Sequence, residues 1–225
     1  MPAESSRFDA LKAVTRTPRT MVRSPNAAKL RARALELARE EGLGESGYAL
    51  RIVALESEDE GTLTLEGETL FAPWLRPETG RLTALGVGLA TLGPALEQRV
   101  TQLFAEKKAT LALALDQLGN EFLFATAARL EVRLRMQAKR RGLSMAGELH
   151  PGDPGLDLAA QANLMRLMTP DTLGISLHGG HLLNPLKSAS AIFGVGTDLP
   201  AATWSRCDLC ASRGKCTKAE MRAMA

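Results

Sequence analysis

The chain reads as an α+β protein, a mixed or antiparallel sheet backed by long helices, and three features of the sequence predict this. Positions 110–141 sustain a helical pattern for roughly 32 residues, about 48 Å at 1.5 Å per residue, with Leu111, Leu115, Leu118, Phe122, Ala125, Leu130 and Leu134 crowding one side. Segments near 50–54, 63–65 and 82–92 alternate or run apolar as strands do. From Gly174 to Gly196, two histidines and a Lys-Ser-x-Ser step are embedded among Ile, Leu, Phe and Val. That mixture suits two short strands, Ile175–Leu177 and Ser190–Phe193, joined by a polar loop that can present donors to a ligand.

The elements follow in order. Residues 1–23 show no sustained period and carry Arg7, Lys12, Arg16, Arg19 and Arg23, so they are expected to form a basic arm. Ser24-Pro25 has the form of an N-cap followed by proline in the first helical position, opening a helix that stops near Gly42. Leu50, Ile52 and Ala54, then Leu63 and Leu65, with Glu58-Asp59-Glu60-Gly61 between them, predict a hairpin. A strand over 82–92 is followed by Gly93-Pro94 and a short helix with Leu96, Val100 and Leu103 on one stripe. The long helix then runs to Gly142, its natural stop, with Lys139-Arg140-Arg141 where a helix C-terminus favours cations. A last helix spans Leu158–Met168, and its Leu164, Met165, Leu167 and Met168 are core positions. The domain therefore occupies 24–200, with a cysteine-containing tail over 201–225.

Composition narrows the function. A chain of 225 residues, 45% hydrophobic and 24% charged, can bury a substantial core. There is no apolar run long enough to span a membrane, and the first residues lack the layout of a secretory signal, so a cytoplasmic location is expected. A net charge of +3 is too small to argue for nucleic acid, and aromatics are too few to stack bases.

Four pieces of sequence carry a resemblance. Between the last two helices stands the turn His150-Pro151-Gly152-Asp153-Pro154-Gly155. Further on comes Pro185-Leu186-Lys187-Ser188-Ala189-Ser190. Upstream lie the strand Ala84–Gly93, closing on a Thr-x-Gly turn, and Leu115-Asp116-Gln117-Leu118-Gly119. In order and spacing these pieces resemble the activation domain of cobalamin-dependent methionine synthase and its free-standing relatives in corrinoid methyltransferase systems, over about 130 residues. The resemblance implies that fold, with S-adenosylmethionine held over a cobalamin carried by a partner. Asp116 would then hold the ligand's amino group, the backbone at Pro151-Gly152 would approach it closely, and Lys187, Ser188 and Ser190 would shape the loop beneath. The turn and the Lys187 loop are expected to form opposite lips of one cleft.

The chain departs from that pattern. Glu148 stands where the family places an arginine for the ligand carboxylate, and His150 and Asp153 stand for its serine and tyrosine. Unless Arg166 or another cation substitutes, a carboxylate there repels a carboxylate, an effect of about 4 kcal/mol at an effective dielectric near 20. All three histidines, His150, His178 and His181, fall in the two candidate loops. Gathered, they could ligate a metal or bind an anion; apart, they are hydrogen-bonded loop residues. All three cysteines lie in Cys207-Asp-Leu-Cys210-Ala-Ser-Arg-Gly-Lys-Cys216, a spacing that favours a metal centre, iron-sulfur or zinc, over a disulfide framework.

Three functional readings follow, of which the last is a purely structural subunit of a larger complex with the arm at 1–23 and the cysteine tail as its interaction elements. The first is an accessory or reactivation component of a cobalamin-dependent methyltransferase. It docks on a corrinoid protein or methyltransferase subunit and supports reductive methylation of cobalt with S-adenosylmethionine, an electron donor being a further candidate partner. The second is a metal- or iron-sulfur-binding redox partner module that keeps the fold and has lost S-adenosylmethionine binding.

Overall fold

A computed structural model of the protein describes residues 2–16, 24–168, 173–204 and 208. Five antiparallel strands form the central sheet in the order β1 (Glu4–Asp9), β2 (Glu45–Ala54), β6 (Arg81–Thr91), β10 (Ser188–Thr197) and β7 (Ser144–Leu149). A small sheet of β3 (Ser57–Asp59), β4 (Thr62–Leu65) and β5 (Glu68–Phe71) covers part of one face, and β8 (Ser176–His178) with β9 (Leu182–Asn184) makes a separate hairpin.

The helices follow their local chemistry. Helix α2 (Pro25–Glu40) starts where the Ser24 hydroxyl accepts the Ala27 N–H at 3.2 Å, as the Ser-Pro pair predicts. The long helix is α4 (Ala109–Arg140), and Gly142 follows it at φ +70°, a conformation only glycine adopts without strain. Helix α3 (Ala95–Ala105) buries Leu96, Val100 and Leu103, and α5 (Ala160–Leu167) buries Leu164, Met165 and Leu167, with Met168 also in the core.

The sheet divides the core by strand parity. On one face Tyr48, Leu50, Ile52, Ala84, Ala191, Phe193 and Val195 meet Leu130, Leu134 and Ala138 of α4. On the other, Ala49, Val53, Leu85, Val87, Leu89 and Ile192 meet α5 and the apolar face of the small sheet. Two glycines let α4 approach. A Cβ at Gly86 would lie 2.4 Å from Leu134, and one at Gly88 2.5 Å from Leu130. Beyond the sheet, α2 and α3 pack on the first half of α4 around Leu37, Leu96, Leu103, Leu115, Leu118 and Phe122.

Four expectations need correction. Residues 4–16 are not an arm: β1 pairs with β2 from Glu4↔Leu50 to Asp9↔Glu45, and α1 (Ala10–Arg16) follows it. The alternation of Glu4–Asp9 between half-buried and exposed positions is that of an edge strand, and polar residues on it hid the period. The turn at Glu60-Gly61 joins β3 to β4, whereas the strand at 50–54 belongs to the central sheet. Between α4 and the His150 turn lies β7, a strand the sequence reading lacked, because Gly147 and the polar Ser144 and Glu148 break its apolar pattern. The stretch expected as two short strands carries three: the polar loop folds into a hairpin, and its second apolar part is the ten-residue strand β10. Residues 17–23 and Cys207, Cys210 and Cys216 lie outside the described residues.

Candidate functional site

The register of the sheet brings the two candidate loops to one end. Leu149 pairs with Ile192, so His150 and Pro151 leave β7 just beyond, on the side of Ser190 and Ser188 where β10 begins. At that end Ser188 pairs with Thr91, and Thr91 in turn with Gly47.

The Lys187 loop is tied down from three elements. Lys187 Nζ lies 2.8 Å from Asp116 Oδ1 and donates to Asn120 Oδ1 at 2.7 Å, spanning acceptors one turn apart on α4. The Leu186 N–H donates to Glu97 Oε2 at 2.8 Å, and the Leu92 N–H to the Lys187 carbonyl at 3.0 Å. Ser188 and Thr91 share a hydroxyl contact of 2.8 Å, and the Gly93 N–H donates to Thr91 Oγ1. Lys187 is largely buried, while 44% of the Asp116 side chain is exposed, so the carboxylate keeps an open side. Gly119 leaves the lysine stem room: a Cβ there would lie 3.5 Å from Lys187 Cε and 2.9 Å from Leu96.

The turn is built differently. Asp153 accepts the His150 N–H at 2.8 Å, the His150 carbonyl accepts the Asp153 N–H, and the Gly152 N–H donates to the Leu156 carbonyl. Gly152 stands at φ +90°, which explains its presence there. His150 Nε2 lies 3.1 Å from Glu148 Oε1, and both side chains are mostly buried, so the acid that departs from the family pattern already has an imidazole partner. Arg166 is not the substitute cation. It forms a two-point pair with Glu68, at 2.6 and 2.8 Å, which holds the Glu68 carboxyl below its ordinary range and raises the guanidinium.

The three histidines take separate stations. His178 and His181 are exposed on the β8–β9 hairpin around Gly179 and Gly180, whereas His150 is paired with Glu148. Among the described residues no group of three or more His, Cys, Asp or Glu side chains is arranged to hold a metal ion, so the idea of gathered histidines as metal ligands is withdrawn.

Ser190 lies deeper. It is buried and donates to Gln161 Oε1 of α5 at 3.0 Å, while Gln161 Nε2 is buried without a partner in the protein. Of the residues that complete this region, the sequence reading did not name Asn120, although its position one helical turn beyond Asp116 could have pointed to it. Glu97 and Gln161 carried no signal, since their partners come from loops remote in sequence.

One concavity opens at this end of the sheet and another lies along its β7 edge. A groove of about 540 Å³ is lined by Arg7, Gly47, Thr91, Gly93, Ala95 and Leu173 among others. A smaller one, about 170 Å³, lies at the β7 edge between Trp74, Gly147 and Trp204. Neither is lined by both the Pro151 turn and the Lys187 loop. Among the described residues no helix is long and apolar enough to cross a membrane.

No family profile and no curated protein matches the chain. Solved structures do match, among them the crystal structure of the MetH reactivation domain bound to AdoHcy. It superposes with a TM-score of 0.67 at 12% identity, over 92% of this chain and 81% of that one. With the antiparallel sheet, the long helix and the order of elements already described, this likeness establishes that the chain has a fold like that of the MetH reactivation domain.

Proposed function

We propose that the protein is an accessory or reactivation component of a cobalamin-dependent methyltransferase, docking on a corrinoid protein and supporting reductive methylation of its cobalt with S-adenosylmethionine. The observation that carries this reading is the coincidence of a MetH-reactivation-like fold with the convergence of the Pro151-Gly152 turn and the Lys187–Ser190 loop at one end of β7 and β10. In that chemistry a separate one-electron donor protein would reduce cob(II)alamin to cob(I)alamin, whose electron pair would form the bond to the methyl group while the sulfonium sulfur keeps the C–S pair, leaving S-adenosylhomocysteine. The protein's share is alignment and exclusion of water.

The acidic side chains suit a net cation. Asp116, with its open side, is the group for the ligand's ammonium, and Lys187 fixes its orientation from below. Pro151 and Gly152 offer backbone, Ser188 and Ser190 stiffen the opposing strand, and His150 screens Glu148 from the ligand carboxylate. His178 and His181 stand exposed on the neighbouring hairpin, where a docking partner can reach them.

Calorimetric titration tests the reading. S-adenosylmethionine should bind at millimolar concentration or below, and about fivefold or more tighter than S-adenosylhomocysteine, whose neutral sulfur forgoes the attraction of the open Asp116 carboxylate. Asp116→Asn should weaken both ligands. An absence of heat at millimolar ligand leaves only the likeness of fold.

A second reading is favoured by the engagement of Arg166 with Glu68, which keeps that guanidinium from a ligand carboxylate where Glu148 stands in place of the family's arginine. In it the protein is a redox partner module whose metal or iron-sulfur centre is held by Cys207, Cys210 and Cys216. Anaerobically purified protein should then be coloured, with visible absorption lost on changing any of the three cysteines to serine.

A further inference from the structure

Helix α4 buries one side of its second half and carries an apolar row on the other. Leu130, Leu134 and Ala138 face the sheet. Each residue turns the helix by about 100°, so positions two away from these, Ala128, Val132 and Met136, point about 200° around, away from the sheet. Val132 is 49% and Met136 44% exposed, Ala128 is exposed between turns, and Phe124, 44% exposed, continues the row one turn earlier. Residues spaced by four form one ridge, here roughly 18 Å long. A single exposed apolar side chain needs no explanation, but an unbroken ridge of them is surface that gains by being covered.

The charges around the ridge are lopsided. From Phe124 to Arg141 the chain carries six cations, Arg129, Arg133, Arg135, Lys139, Arg140 and Arg141, against one acid, Glu131. Two of the six are spent inside the fold. Arg133 donates to Glu4 of β1 at 2.9 Å, while Arg135 donates to Glu131 at 3.0 Å and to the Met145 carbonyl of β7 at 3.2 Å. These bonds tie α4 to both edge strands of the sheet and fix the ridge outward. Arg129, Lys139 and Arg140 are exposed and have no ion-pair partner among the described residues. The helix C-terminus itself favours Lys139 and Arg140, whereas Arg129 stands about three turns inside it.

We propose that this ridge is a docking surface for an acidic protein face, a strip of apolar side chains bordered by aspartates and glutamates. The apolar row seats the contact and the unpaired cations select its sign. A second copy of the chain is the wrong occupant, because it brings the same unpaired cations against these. Nucleic acid would engage the cations and leave the row wet. A row one residue wide, on a helix held to the sheet along its other side, is too narrow to sink into a bilayer. One ridge buries less than a permanent interface does, so the contact is a transient one. No residue of the ridge belongs to the Pro151 turn or the Lys187 loop, so the inference goes beyond the proposed function and stands whether or not S-adenosylmethionine binds.

The probe is a fluorescein-labelled helical peptide of about 18 residues, with a leucine row spaced by four and glutamates along both borders, titrated with the full-length protein and read by fluorescence anisotropy. Binding should saturate below about 1 mM protein. Affinity should fall about fivefold or more between roughly 0.01 and 0.15 M salt, as the Debye length shortens from about 30 to about 8 Å. The Val132→Ser, Met136→Ser variant and the Arg129→Glu, Lys139→Glu variant should each weaken binding about fivefold or more. All of these positions are exposed, so the variants should melt as the wild-type protein does. A peptide of the same composition with its leucine row scrambled should bind about fivefold or more weakly than the ordered one. Equal binding of the scrambled peptide, or affinity unmoved by the serine variant, reduces the effect to unspecific charge attraction and overturns the proposal. It is overturned equally if the ordered peptide fails to bind, and if phosphatidylglycerol vesicles or a duplex oligonucleotide then bind and are lost with the same variants, the face belongs to a membrane or to nucleic acid.

Discussion

Lys187 shows how one side chain can tie several elements together. Its ammonium satisfies Asp116 and Asn120 on α4, and its backbone carbonyl accepts the Leu92 N–H at the end of β6. Replacing it with methionine keeps the packing stem and removes the charge. Because the pair is only partly shielded from water, Lys187→Met should lower unfolding stability by about 1–2 kcal/mol in urea titrations. On the proposed function, affinity for S-adenosylmethionine should fall as well, since Asp116 loses its orientation. The Glu68–Arg166 pair gives a pH dependence of known sign. The guanidinium holds the Glu68 carboxyl below its ordinary value, so its stabilising contribution is complete above the usual carboxylate range and is lost as the pH falls through and below it. The melting temperature should therefore drop on acidification from neutral pH, and Glu68→Gln should flatten that slope.

At the scale of elements, α4 is the spine, and two devices hold it. Gly86 and Gly88 open notches for Leu134 and Leu130, so a valine at either position overlaps the leucine tips, which must shift or press the helix outward. Overpacking of this kind costs about 1–3 kcal/mol, and thermal melts of Gly88→Val should show it. The other device is the ion pair of Arg31 on α2 with Glu121 on α4, whose side chain is 4% exposed. Three hydrogen bonds of 2.8 to 3.3 Å join them, and burial lowers the Arg31 guanidinium from its ordinary value. Arg31→Met should cost up to about 3–5 kcal/mol by taking a counter-charge from a buried carboxylate, whereas the Arg31→Met, Glu121→Leu double variant should recover most of that loss. Denaturant midpoints of the two variants separate these outcomes.

At the scale of the whole molecule, the long helix, the Ser24-Pro25 cap, the core of α5 and the strand over 82–92 were legible because each is written in a local period or a local cap. Strands β1 and β7 were not. Both are edge strands, and their polar and glycine positions are tolerated because one side of the ladder needs no partner. The same contrast runs through the candidate site. The sequence by itself determined the helices from α2 to α5, the strands near 50–54 and 82–92, the α+β class, and the residue types offered at the Pro151 turn and the Lys187 loop. Only the tertiary structure decided that Lys187 faces Asp116 and Asn120, that Glu148 is spent on His150, that Arg166 is spent on Glu68, and that the three histidines stand apart. The reason is physical: periodicity and capping act over a few residues along the chain, whereas the pairing of charges depends on which loops the sheet register brings within about 4 Å of one another.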